Sequence, residues 1–95
     1  MEKNLFRVSF NQQLFHFESI DFQSIEALVS FIKEHLNIER EKEIELKCKN
    51  DTKGEVNKNL ILAALKFDPS NTTITVIKMD FDQNVVNCQL NFYIN

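Results

Sequence analysis

Two histidines, two cysteines and fourteen carboxylates are the side chains of this 95-residue sequence that could do chemistry. His16 and His35 stand in no metal-ligand spacing with Cys48 or Cys88. His16 alternates with Phe15 and Phe17, which puts it on the wet face of a strand. His35 falls in the last turn of a helical pattern, where a helix dipole favours a cation. Cys48 and Cys88 occupy apolar-phase positions and read as small buried hydrophobes, and an inward thiol is a poor nucleophile. The carboxylates are dispersed, with no pair singled out for acid–base work. A single glycine excludes the Gly-rich phosphate loops. The expectation is a protein that is not an enzyme and has no metal or cofactor.

The totals narrow the setting. The length suits one domain spanning 1–95, with enough residues for one modest core. The net charge of -3 gives no basic excess to displace counterions, so no nucleic-acid partner is expected. Lysines gather between Lys42 and Lys58, but Glu39, Glu41, Glu43, Glu45, Asp51 and Glu55 are interleaved with them, as on a solvated face. The sequence has no apolar run of membrane-spanning length, and its first residues lack the apolar core of a signal peptide. Two cysteines are too few for a disulfide scaffold. Together these point to the cytoplasm and to no membrane partner.

The elements that would position these groups follow from periodicity. Phe6, Val8 and Phe10 alternate with polar residues, as do Phe15 and Phe17, so two strands with a turn at Asn11-Gln12-Gln13 are expected. Ile25, Leu28, Val29, Ile32 and Leu36 follow helical spacing, with Asp21 or Ser24 as cap and Asn37 as terminator. Glu43–Lys49 alternates without fault, pointing Ile44, Leu46 and Cys48 one way. Asn50–Gly54 turns, a short return strand follows, and Thr72–Met79 is β-branched and strand-like. Residues 83–94 fit either a strand or a helix, with the alternation of Val86, Cys88, Leu90, Phe92 and Ile94 favouring the strand.

Between these lies Leu60–Phe67, in which seven of eight residues are apolar. Leu, Ala and Lys favour a short helix, and one apolar nearly all round cannot turn every side to one core. It is therefore covered on two sides or shows an apolar patch to a partner. Ala63, Ala64 and Phe67 are the candidates for its packed side. Ile61, Leu62 and Leu65, with Lys66 at the rim, are the candidates for the partner-binding side.

From the first helix onward the chain resembles the histidine-containing phosphocarrier (HPr) family. Ser30-Phe31-Ile32-Lys33-Glu34 is similar to that family's first helix. Glu43–Lys49, the turn and Gly54-Glu55-Val56-Asn57 resemble its central hairpin, and Leu60–Phe67 followed by Thr72–Met79 its second helix and last strand. The resemblance implies an α+β fold, a four-stranded antiparallel sheet with two or three helices on one face as an open-faced sandwich. At the family's active histidine this chain has Ser24, and Glu26 stands where an arginine would hold phosphate. Ser24 is thus the phosphoacceptor-equivalent position without its acceptor. What the resemblance implies is a regulatory, protein-binding relative that carries no phosphate, its partner a protein or a second copy of the chain.

One departure favours an alternative. The phosphocarrier fold needs one strand before its first helix, and this chain offers two. Two strands, helix, two strands, short helix, strand is the order of a ubiquitin-like β-grasp domain, a class of module that recruits protein partners through a sheet face or strand edge.

Overall fold

A computed structural model describes residues 4–79; residues 83–94, whose alternation fits strand or helix, lie outside the described residues, as does Cys88. Seven elements follow in order: β1 (Leu5–Phe10), β2 (Gln13–Glu18), α1 (Ile25–His35), β3 (Ile44–Asn50), β4 (Gly54–Val56), α2 (Ile61–Phe67) and β5 (Thr72–Lys78). Short 3₁₀ turns at Lys58–Leu60 and Pro69–Asn71 flank α2. The α+β class is as expected, but the sheet is not. It has five strands in the order β2-β1-β5-β3-β4, with β1 parallel to β5 and the other pairs antiparallel. The expected four-stranded antiparallel sheet is corrected on both counts. The physical reason is the first hairpin: β1 inserts beside β5 and carries β2 with it as an extra edge strand.

That hairpin closes through Asn11 and Gln12, with φ of 51° and 64°. Both central residues are left-handed, as a two-residue turn matching the sheet's twist requires. Asn tolerates this conformation; Gln12 carries the steric cost of its Cβ.

The helix α1 begins at the N-cap Ser24, whose Oγ accepts from the Ala27 N–H at 3.1 Å. Of the two candidate caps, then, Ser24 is the one used. The helix ends as Asn37 turns left-handed, with φ 57°, and Ile38 N–H reaches back to the Lys33 carbonyl at 2.9 Å. This six-to-one bond closes a Schellman motif and folds the buried Ile38 under the helix.

The core lies on one face of the sheet. Phe6 and Val8 of β1, Leu46 and Cys48 of β3, and Ile74 and Val76 of β5 are buried against Leu28 and Ile32 of α1 and Ile61 and Leu65 of α2. The intervening residues Arg7, Ser9, Glu45, Lys47, Lys49, Thr73 and Thr75 form the opposite face, which no described helix covers.

Candidate functional site: the open edge of β2

Every residue of β2 is placed by its pairing with β1. The register runs from Phe10↔Gln13 through Val8↔Phe15 and Phe6↔Phe17 to Leu5↔Glu18. In a two-residue hairpin the pair flanking the turn exchanges hydrogen bonds, and bonded pairs alternate with unbonded ones from there. Gln13, Phe15 and Phe17 therefore bond inward to β1. The series ends consistently, with Ser19 N–H donating to the Asn4 carbonyl at 2.8 Å. Leu14, His16 and Glu18 aim their backbone N–H and C=O away from the sheet. Among the described residues no strand pairs with that side.

The edge is held stiffly from beneath. Phe15 and Phe17 point inward and stack on each other, ring centroids 6.2 Å apart with planes at 10°. Phe17 meets Phe31 of α1 edge-on at 5.6 Å, and Phe31 meets Phe22 edge-on at 5.2 Å. Such pairs contribute roughly 0.5–1.5 kcal/mol each beyond area burial. His35 joins this cluster, 4.1 Å from Phe31 and 5.4 Å from Phe17. Its Nδ1–H donates to the Phe31 carbonyl at 2.9 Å, which fixes the ring on the helix end. The cluster clamps β2 to α1, so the strand presents its unpaired groups in a preset geometry.

On the outer side, the registers align His16, Arg7, Thr73, Lys49 and Glu55 in one row across all five strands. Arg7 lies along this face, its Nε donating to Thr73 Oγ1 at 2.9 Å and its Nη2 to Asp51 Oδ2 at 2.7 Å. Leu14, 55% exposed, projects at the margin of the same face.

The sequence-derived site residues land elsewhere. Ile61 and Leu65, expected on the partner-binding side of α2, are each only 1% exposed and belong to the core, and Leu62 packs partly against it. Phe67, expected on the packed side, is 79% exposed, and Ala63 is exposed with it. Ala64, also expected on the packed side, is half-buried, so α2 turns Ile61 and Leu65 to the core and Ala63 and Phe67 to solvent, with Leu62 and Ala64 between them. Lys66 is exposed, its Nζ 5.6 Å from the centre of the Phe67 ring. Ser24 spends its hydroxyl on the helix cap, and Glu26 is exposed in the first turn.

His16 and His35 are both exposed and lie on different elements. Burial pushes the Cys48 thiol up to about 11. Among the described residues no group of three or more His, Cys, Asp or Glu could hold a metal, and no helix is long and apolar enough to cross a membrane. A strand edge is among the surfaces a β-grasp domain offers, but no side-chain motif marks which edge, because its chemistry is backbone chemistry. The signal that finds it is the two-residue turn, which fixes which residues of β2 face outward.

No family model, curated protein or solved structure matches the chain.

Proposed function

We propose that this protein is a ubiquitin-like β-grasp interaction module that recruits a protein partner by pairing an extended segment with the edge of β2. The observation carrying this reading is the row of outward backbone groups at Leu14, His16 and Glu18 on a strand clamped by aromatic rings. Main-chain hydrogen bonds along such an edge supply affinity, and alternate side chains supply selectivity. The partner's side chains on the inner side would meet the half-buried Phe15 and Phe17; those on the outer side would meet Leu14 and His16. The strand order β2-β1-β5-β3-β4, with β1 and β5 parallel in the centre, supports this reading over a phosphocarrier-like one, which calls for a four-stranded antiparallel sheet. The role is recruitment, without phosphate transfer.

Selection from a displayed library of extended peptides tests the proposal. Selected peptides are expected to lose binding to Leu14→Pro, which removes an outward N–H and leaves the bonds to β1 in place. Retained binding to that variant, with its fold intact by circular dichroism, would contradict edge recognition.

A further inference from the structure

A second surface lies on α2. Its turns set Ile61 and Leu65 into the core and leave the other side to solvent. That side carries Leu60, Ala63 and Phe67, spaced i, i+3 and i+7, which is one stripe of a helix. Leu60 is 57% exposed, and Ala63 is exposed between it and Phe67. Single exposed apolar side chains are ordinary on a protein surface, whereas an aligned set marks an interaction site.

The stripe adjoins a depression. Ser19 Oγ donates to the Leu65 carbonyl at 2.7 Å, which fastens the β2–α1 connection to α2. Ile20, next in the chain, is 53% exposed. It lines a depression of about 300 Å³ with Lys66, Pro69, Asn4, Ser19 and Asp21.

The charges at the stripe are one-sided. Residues 57–67 hold Lys58 and Lys66 and no carboxylate, in a chain whose net charge is -3. Lys66 makes no ion pair among the described residues; its Nζ rests over the Phe67 ring. Asp68, which follows, has both oxygens engaged, Oδ2 by Asn50 and Oδ1 by Asn71. Asp21 is the one carboxylate on the wall of the depression and offsets part of the positive charge. A second copy of the chain is a poor occupant. Packing two α2 stripes together brings the lysines of one copy to those of the other. A stripe of roughly 10 Å also falls short of the 800 Å² or so per partner that a stable dimer buries.

We propose that the Leu60–Ala63–Phe67 stripe docks an acidic amphipathic helix of a protein partner. The small Ala63 lets the two helices approach closely, Leu60 and Phe67 pack against the partner's apolar side chains, and Lys58 and Lys66 meet its carboxylates. This surface is separate from the β2 edge, so Leu14→Pro is expected to leave it working.

Two synthetic helical peptides on the full chain test it. Both carry leucines at i, i+3 and i+7; one is flanked by glutamates and the other by lysines. The glutamate peptide is expected to bind and to shift the amide resonances of Leu60, Ala63, Lys66, Phe67 and Ile20, leaving Leu14, His16 and Glu18 unmoved. Phe67→Ala is expected to weaken it by about tenfold. Lys66→Glu is expected to reverse the preference, so that the lysine peptide binds better. Failure of the glutamate peptide to bind, or equal binding of both peptides to the parent, would overturn the proposal. So would sedimentation of the free protein as a dimer that Phe67→Ala dissolves, which would assign the stripe to a second copy. A denaturant midpoint for Phe67→Ala lowered as far as that of a core substitution would also overturn it, by showing the ring to be covered within the chain.

Discussion

Asn50 and Asp68 are joined side chain to side chain, the Asn50 Nδ2 donating to Asp68 Oδ2 at 2.9 Å. The bond ties the β3–β4 turn to the end of α2. Asn50 is buried, and its Oδ1 also accepts from Thr52 N–H, Thr52 Oγ1 and Lys53 N–H. Asp68 in turn holds Asn71 and, through its carbonyl, the buried Thr72 hydroxyl at 2.7 Å. Asn50→Ala leaves several of these groups without partners and is expected to cost about 2–3 kcal/mol in urea unfolding. A loss near that of an ordinary surface substitution would show the two turns to be independent.

The β1–β2 turn carries a removable strain. Gln12 has φ 64°, a region that costs an L-residue roughly 1–2 kcal/mol. Gln12→Gly is expected to raise stability by up to about 1 kcal/mol, the remainder going to the greater freedom of glycine in the unfolded chain. An unchanged or lower denaturation midpoint would place the strain elsewhere.

Cys48 gives stability a slope at high pH. Burial disfavours the thiolate and pushes the folded pKa up from the ordinary value of 9.0 to about 11. The folded state therefore holds the proton more tightly. Its contribution is complete below about pH 9 and is lost as pH rises toward 11. Two units of difference correspond to ~3 kcal/mol. Unfolding followed from pH 8 to 11 is expected to show this decline in the parent and a smaller one in Cys48→Ala. Equal slopes would show the thiol to be hydrated in the fold.

The two faces of α2 separate cleanly by mutation. Ile61→Ala and Leu65→Ala each open the core and are expected to cost about 2–5 kcal/mol. Phe67→Lys changes an exposed ring and is expected to stay within about 0.5 kcal/mol. The reverse ranking in denaturant would restore the inverted assignment.

Much of the fold was legible in the sequence because alternation is a local signal. Phe6, Val8, Leu46 and Cys48 declare a buried face by period alone, and Leu28 and Ile32 do so at helical spacing. The sheet order was not legible in the same way. Whether β1 sits beside β5 depends on pairing across some 66 residues, which no window of the sequence encodes. The α2 faces failed for a related reason. When seven of eight residues are apolar, periodicity gives no phase, and packing against the sheet turns Ile61 and Leu65 inward. A strand edge as binding surface was legible from the element order, but not that it is β2, because an edge's donors and acceptors belong to the main chain and depend on the sheet order.

The most direct test of the edge-binding account is amide exchange at Leu14, His16 and Glu18, read residue by residue with and without a selected peptide. These three amides are expected to exchange freely in the unbound protein and to become protected on binding, while Gln13, Phe15 and Phe17 stay as they were. Protection appearing instead around Leu60 and Phe67, with the β2 amides unchanged, would contradict the account and move the partner site to α2.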